Sequence, residues 1–439
     1  MPFVANSDAD RAEMLKVIGV KSVDDLFADI PAARRFPKLD LPEPLSELEV
    51  LREVESLAAR NVTASTCAWF LGAGAYNHFI PAVVPALASR GEFLTAYTPY
   101  QPEVSQGTLQ AIFEYQSMAA ELLGMEVVNA SHYDGATALA EAVLMAHHNA
   151  PGKARVLIPA TLHPEHKAVV ATYLAPFAVK LEEYSGDPAK ARLDDGVAAL
   201  VAAYPEFEGE LRDLTAAAAA AHAAGALFIV QADPIMCGLL KSPGSMGADI
   251  VVAEGQALGN SMNYGGPFLG MMGATNKLVR KMPGRIVGEA HDHEGRKGFV
   301  LTLSAREQHI RREKAVSNIC SNQGLVMLQT CIYLAAMGSE GLLAVARLCW
   351  DKAHYAADLI GKIPGFKVQN GSFFKEFLVA TPIPAEEISA KLSRRCVVPG
   401  LPLSRYYPER THELLVCATE MCTKAQIDLL AQSLTEVAR

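Results

Sequence analysis

The chain has 439 residues, of which 39 are basic and 48 acidic, giving a net charge of -9, and half of the residues are apolar. That balance suits a soluble globular protein with a large buried core, divided into two domains rather than one. Interleaved charge of net negative sign offers no footing for nucleic acid or an acidic membrane surface, which leaves a small molecule or another protein as the partner.

The first residues carry neither the basic start nor the apolar run of a secretory signal. The longest stretch that reads as a membrane-span candidate, 216–230, is too short and is interrupted by His222 and Gly225, so no membrane is expected. Eight cysteines, Cys67, Cys237, Cys320, Cys331, Cys349, Cys396, Cys417 and Cys422, show no Cys-x-x-Cys pair and no metal-finger spacing. They read as buried thiols in a reducing, cytoplasmic compartment.

Residues 1–65 predict a polar helical arm, broken by Pro31, Pro37, Pro42 and Pro44 into a helix, an extended connector and a second helix over 46–60. Such an arm packs on a neighbour or on its own core. Residues 66–320 then predict a large α/β domain. Its candidate strands are 126–130, 155–160, 177–182, 198–204, 226–232, 249–253 and 268–273. Several are continuous apolar runs, the pattern of strands buried on both faces in a mostly parallel sheet covered by helices. Residues 321–439 predict a long linking helix over 325–363. A small α+β domain follows, with strands at 374–380 and 413–419 and helices at 386–395 and 424–437.

Residues able to carry chemistry fall at the carboxyl ends of these strands, where open α/β sheets bind ligands. The strand 226–232 runs into Asp233, an acid that can keep a pyridinium nitrogen protonated or simply cap the next turn. Asp134, Gly135 and Thr137 open a helix, either as a phosphate cradle or as an ordinary N-cap. His163 follows the strand ending at 160 and could lie over a cofactor ring. With His166 it lacks a third metal ligand, so a capping or hydrogen-bonded role ranks above zinc. His291, Asp292, His293 and Glu294 read as solvated charge on a loop rather than as ligands, and no metal site is expected.

A pyridoxal enzyme needs a lysine shortly after the aspartate to form an imine with the cofactor aldehyde. The stretch Asp249-Ile-Val-Val-Ala-Glu-Gly-Gln-Ala-Leu-Gly-Asn260 offers Gln256 there instead. An amide cannot form the imine. Lys241 precedes the strand at 249–253 and Lys277 follows the one at 268–273, so neither stands in the expected place.

Four longer motifs carry a resemblance. They are Phe70-Leu-Gly-Ala-Gly-Ala-Tyr-Asn-His-Phe-Ile-Pro81, Thr95-Ala-Tyr-Thr-Pro-Tyr-Gln-Pro-Glu-Val-Ser-Gln-Gly107, Gly265-Gly-Pro-Phe-Leu-Gly270 and the stretch from Pro283-Gly-Arg-Ile-Val-Gly-Glu289 to Arg312. Together they closely resemble the N-terminal half of the P-protein of the glycine cleavage system, over nearly the whole chain, and the length matches the first subunit of that family's split form. The resemblance implies the pyridoxal-phosphate fold type I, like aspartate aminotransferase. It implies decarboxylation of glycine and passage of the aminomethyl group to the lipoamide of H-protein. It also implies a second, lysine-bearing subunit that holds the pyridoxal phosphate, with two copies of each subunit.

By the family's register Gly255-Gln256 stands at its His-Lys motif, so this chain is expected to be inactive alone. Active sites of this fold lie at subunit interfaces, which makes Asn77, His78, Tyr97, Tyr100, Gln101, Glu103, Ser105 and Gln106 candidates for reaching the partner's site. Asp134, Gly135, Thr137, His163, Asp233 and Gln256 would be a vestigial cofactor pocket. Arg306, Arg311 and Arg312 could hold a substrate carboxylate but read first as surface ion pairs. Two other readings stay open: a self-sufficient pyridoxal enzyme using another lysine, and a scaffold that pairs with the catalytic subunit without touching the chemistry.

Overall fold

In a computed structural model, residues 5–437 are described, and the chain divides into two units, Met1–Val62 and Thr63–Arg439. The first unit holds helices Asp8–Ile18 and Glu47–Ala58. Each opens on a reciprocal cap, Ser7 with Asp10 and Ser46 with Glu49, which satisfies the first free N–H groups. Neither helix buries a residue, and Leu48, Leu51, Val54 and Leu57 are exposed.

The second unit is built on a seven-stranded sheet in the order Val127–Val128, Gly270–Ala274, Ile250–Glu254, Leu227–Ala232, Val197–Tyr204, Arg155–Pro159, Lys180–Tyr184. Gly270–Ala274 runs antiparallel to both of its neighbours, and the other pairings are parallel. The central runs are apolar throughout because both faces are covered. Phe228 and Val230 point into one core cluster and Ile229 into another, the alternation that strand geometry imposes. Helix Gly135–Asn149 lies in the second cluster, with Ala138, Ala140, Ala142 and Ala146 fully buried. Side chains this small allow close approach to the sheet.

A four-stranded antiparallel sheet, Lys367–Val368, Glu376–Ala380, Glu413–Cys417 and Leu401–Pro402, carries helices Ala385–Ser393 and Lys424–Val437. Phe377, Val379, Ile388, Leu414, Val416 and Leu430 form its core.

Three expectations need correction. The eight cysteines are not all thiols: Cys67 and Cys396 form a disulfide beside the parallel pair Ala68–Trp69 and Val397–Val398, Cys320 is exposed, and Cys237 is half-buried. Sequence spacing hid this bond because the two partners are 329 residues apart and only the fold brings them together. The stretch 216–230 is not the longest apolar helix. Gly324–Ile360, with a kink at Gly338, is long and apolar enough to cross a membrane by length and composition. It is nonetheless a helix of this core, with Tyr333, Ala346 and Cys349 buried. Finally, residues 286–302 contain an antiparallel hairpin, Ile286–His291 with Lys297–Thr302, that periodicity did not signal. The His291 to Glu294 cluster is its turn, where the Asp292 carboxylate accepts the N–H groups of Glu294 and Arg296.

Candidate functional site: a cofactor-type pocket filled from within

Asp233 stands where expected, just past the strand Leu227–Ala232. Its Oδ1 accepts the N–H groups of Ile235 and Met236 at 2.9 and 3.3 Å, so it does cap the following turn. Its Oδ2 does something sequence did not foretell: it pairs at 2.6 Å with Nζ of Lys375, which arrives from the small sheet just ahead of the strand Glu376–Ala380. Both side chains are buried. Burial disfavours the ammonium, but the Asp233 carboxylate more than compensates and raises the Lys375 pKa.

The same ammonium lies 3.5 Å from the centre of the Tyr76 ring and 3.1 Å from Nε2 of His78. An ammonium can only donate, so that nitrogen is the acceptor, and Nδ1 carries the proton donated to Glu420 at 2.7 Å. Glu420 also accepts from the Phe79 N–H at 2.6 Å and from the Cys349 thiol at 3.3 Å. Burial pushes its carboxyl up, but His78 and these donors outweigh that and hold it at about 2. His78, Cys349 and Glu420 have the composition of a metal-ligand set, yet they already satisfy one another, and Lys375 blocks the second histidine nitrogen.

Gln256, where the sequence reading looks for a lysine, uses its whole amide. Its oxygen accepts the Tyr76 N–H at 2.9 Å, and its nitrogen donates to the carbonyls of Tyr76 and Asn260 at 3.0 and 2.8 Å. A lysine there would supply no acceptor. Glu376 staples the same loop from the other side, accepting from the Ala73 N–H and the Tyr76 hydroxyl, each at 2.6 Å. Gly72 is obligatory for this approach, since a Cβ would sit 2.4 Å from the Glu376 carboxylate.

The helix N-terminus at Gly135 is also occupied. Asp134 and Thr137 cap each other's backbone, and the Gly135 N–H donates to Oε2 of Glu254 at 2.8 Å. A carboxylate of the chain itself thus takes the place in which a phosphate could sit. Oε1 of Glu254 accepts from Gln256 and Leu269, yet burial prevails and pushes its pKa up to about 7. His163 accepts the Glu165 N–H at Nδ1, donates from Nε2 to the Ala73 carbonyl at 3.0 Å, and stacks on His166. It caps a helix and closes a loop rather than covering a ring.

What remains between Asp233, Glu254, His163 and Tyr76 is about 80 Å³. Sites for ligands of drug size begin at roughly 300 Å³. Pyridoxal phosphate does not fit this pocket: Tyr76 and Lys375 fill the space beside Asp233, Glu254 takes the Gly135 N–H, and Gln256 offers an amide where an imine needs an amine.

The residues expected to face a partner separate into two groups. Tyr97, Tyr100, Gln101 and Glu103 are exposed, Tyr97 by 86% and Tyr100 by 55%. The others make contacts within the chain, although Gln106 is itself exposed. His78 is buried as described, a correction that follows from its ties to Glu420 and Lys375. Gln106 clamps the N–H and carbonyl of Phe299 at 2.8 and 2.9 Å, Asn77 receives the Thr419 hydroxyl on its carbonyl, and Ser105 is half-buried.

Arg306 is not a surface ion pair: it donates to the carbonyls of Leu303 and Gly284 at 3.0 and 2.9 Å and to that of Met282. Arg311 and Arg312 are exposed, as are Lys241 and Lys277, neither of which lines the pocket. Sequence reasoning missed Lys375, Glu376, Glu254 and Tyr76. The available signal was the charged pair Lys375-Glu376 leading into an apolar strand.

The fold and this pocket define the class first. A Burkholderia pseudomallei sphingosine-1-phosphate lyase and mouse CSAD superpose with TM-scores of 0.64 and 0.67 over 93% and 95% of the chain and 94% and 92% of theirs. At 17% and 15% identity they establish the fold alone, that of fold type I pyridoxal-phosphate enzymes.

The family follows from closer relatives. The family model of the glycine cleavage system P-protein matches residues 1–434. Chains described as probable glycine dehydrogenase (decarboxylating) subunit 1 from Thermomicrobium roseum and Chlorobium luteolum are 48% and 50% identical, covering 99% and 100% of both partners. A crystal structure of glycine decarboxylase (P-protein) of the glycine cleavage system, in inhibitor-bound form, superposes with a TM-score of 0.92 at 46% identity, covering all of both chains. The chain belongs to the glycine cleavage system P-protein family.

Proposed function

We propose that this chain is the non-catalytic subunit of a heteromeric glycine decarboxylase. A lysine-bearing second subunit holds the pyridoxal phosphate, two copies of each assemble in the cytoplasm, and the aminomethyl group of glycine passes to lipoyl H-protein. The observation that carries the reading is Gln256, locked by three hydrogen bonds at the anchoring position of a pocket with about 80 Å³ left. The relatives' description as subunit 1 supports a second subunit.

This chain's part is to complete the partner's site from across an interface. The exposed run of Tyr97, Tyr100, Gln101 and Glu103 supports that role, since it presents hydroxyl, amide and carboxylate groups on a backbone stiffened by Pro99. The division into a large part to about residue 320 and a small C-terminal part belongs to the same reading.

The test adds pyridoxal phosphate to the purified chain, reduces with borohydride, and assays exchange of bicarbonate into glycine. No covalent cofactor and no exchange are expected alone, with both appearing once the lysine-bearing subunit and H-protein are supplied. Covalent labelling of this chain with exchange activity overturns the reading. In the assembled complex, Tyr100→Phe and Glu103→Gln separate a shared site from a scaffold: lower turnover with assembly intact supports the first, and unchanged turnover supports the second.

A further inference from the structure

We propose that a second cavity, centred on Arg285, is a receptor for a short-chain monocarboxylate. Arg285 is 4% exposed, and every hydrogen bond it makes goes to a neutral group. Its Nη1 donates to Asn322 and Ser321 at 3.2 and 3.4 Å, and its Nη2 to the Cys320 carbonyl and the Tyr100 hydroxyl at 3.0 and 3.4 Å. Nε is buried with no partner at all. No ion pair with a carboxylate forms at this residue among the described residues. Buried charges are ordinarily paired, because taking an ion out of water costs several kcal/mol, on the order of what one good ion pair returns.

The guanidinium lines a cavity of about 240 Å³ that shares no residue with the pocket at Asp233. Gly324 and Leu325, the first residues of the helix Gly324–Ile360, form part of the wall, and no side chain caps that helix. Its free N–H groups and dipole add positive potential at the same end of the cavity. The remaining walls mix apolar side chains, chiefly Phe93, Leu94, Ile112, Met327 and Leu328, with the polar Tyr97, Thr98, Thr108 and Asn322.

This arrangement selects among anions. One guanidinium balances one negative charge, and a carboxylate is the charged partner that its neutral neighbours do not supply. A phosphate dianion would carry one negative charge more than the guanidinium balances. A volume below the roughly 300 Å³ of drug-sized sites limits the body to a few carbons. The inference concerns the chain by itself, and because Tyr97 and Pro99 of the wall and Tyr100 on the guanidinium belong to the run proposed to face the partner, binding is measured without the partner, where failure of the decarboxylase reading does not affect it.

The experiment is calorimetric titration of the full purified chain with butyrate, alongside butyramide, glycine and inorganic phosphate. Saturable 1:1 binding of butyrate is expected. Butyramide, of the same shape without the charge, should bind at least tenfold more weakly, and glycine, whose ammonium would be held near the guanidinium, more weakly than butyrate. Arg285→Gln should lower butyrate affinity at least tenfold. Because Arg285 also anchors Cys320, a loss of fold would mask a loss of binding, so Ala111→Leu provides a second route. It narrows the cavity from the helix Gln106–Leu123 without altering the guanidinium, and should give a comparable loss with unchanged circular dichroism. No saturable binding, equal binding of butyramide, tighter binding of phosphate or glycine, or unchanged affinity in both variants would each overturn the assignment.

Discussion

Around Asp233 each buried charge meets a partner from the same chain, whereas around Arg285 the guanidinium meets only neutral groups. The two sites share one unit of the fold and differ in what they ask of the surroundings. The first has been closed by substitution from within: Lys375 answers Asp233, Gln256 answers the loop at Tyr76, and Glu254 answers the helix N-terminus at Gly135. The second keeps one unanswered donor and a guanidinium with no carboxylate partner beside open volume. A pocket can therefore be filled by its own side chains, while a site with no recognisable motif leaves a buried charge without a charged partner.

The sharpest way to break this contrast is to unpair the closed site. Lys375→Met leaves the Asp233 carboxylate buried beside an apolar chain, and removal of one partner from such a pair costs about 3–5 kcal/mol. Urea denaturation should show a loss of that order, with much of it recovered in the double variant Lys375→Met with Asp233→Asn, which removes both charges. A single variant as stable as the parent would mean that the pair is not what neutralises Asp233.

That pair also marks the limit of what the sequence discloses. Strand runs with apolar residues on both faces, such as 198–204 and 226–232, were legible because burial on two sides leaves no polar alternation, and Asp233 and Gln256 followed from their places at strand ends. Lys375 was not legible as a site residue. It precedes Asp233's partner strand by no sequence rule, lying 142 positions away in a separate sheet, and only packing of that sheet against the strand ends brings them within 2.6 Å. Glu254 was hidden for a different reason. It lies inside the stretch inspected for a lysine, but an acid at a strand end does not announce that it turns back onto another element's N–H groups. Long-range pairings of this kind, like the Cys67–Cys396 bond, are properties of topology.

A smaller effect sharpens the comparison through pH. Burial raises Glu254 and Glu141 to about 7 and lowers His132 and His166 to about 4. A raised carboxyl contributes stability that is present below its unfolded value near 4.5 and is lost as pH rises through 7. A lowered histidine contributes stability that is present above 6.5 and is lost as pH falls through 4. Between about pH 5 and 6.5 the folded chain holds two carboxyl protons that the unfolded chain lacks, and lacks two imidazolium protons that it holds, so these four contributions offset in slope. Glu254→Gln removes one of the two carboxyl terms. Its stability relative to the parent should rise with pH across that window by about 1.4 kcal/mol per unit. Parallel denaturation midpoints at pH 5 and pH 6.5 would show that Glu254 is not held protonated by its burial.

The smallest expected effect is the most discriminating. If Gln256 alone had silenced the pocket, Gln256→Lys would restore an amine at the anchoring position and, with pyridoxal phosphate and borohydride, a covalent adduct. The structure argues for no adduct. Tyr76 and Lys375 still hold the ring position, Glu254 still holds the Gly135 N–H, and the new lysine gives up the acceptor that fixed the Tyr76 backbone. Mass spectrometry after reduction should therefore find Gln256→Lys unlabelled. Labelling should require Lys375→Ala and Glu254→Ser in the same chain, which reopen the ring and phosphate positions. An adduct on the single variant would show that the filling side chains give way readily and that Gln256 by itself prevents the imine.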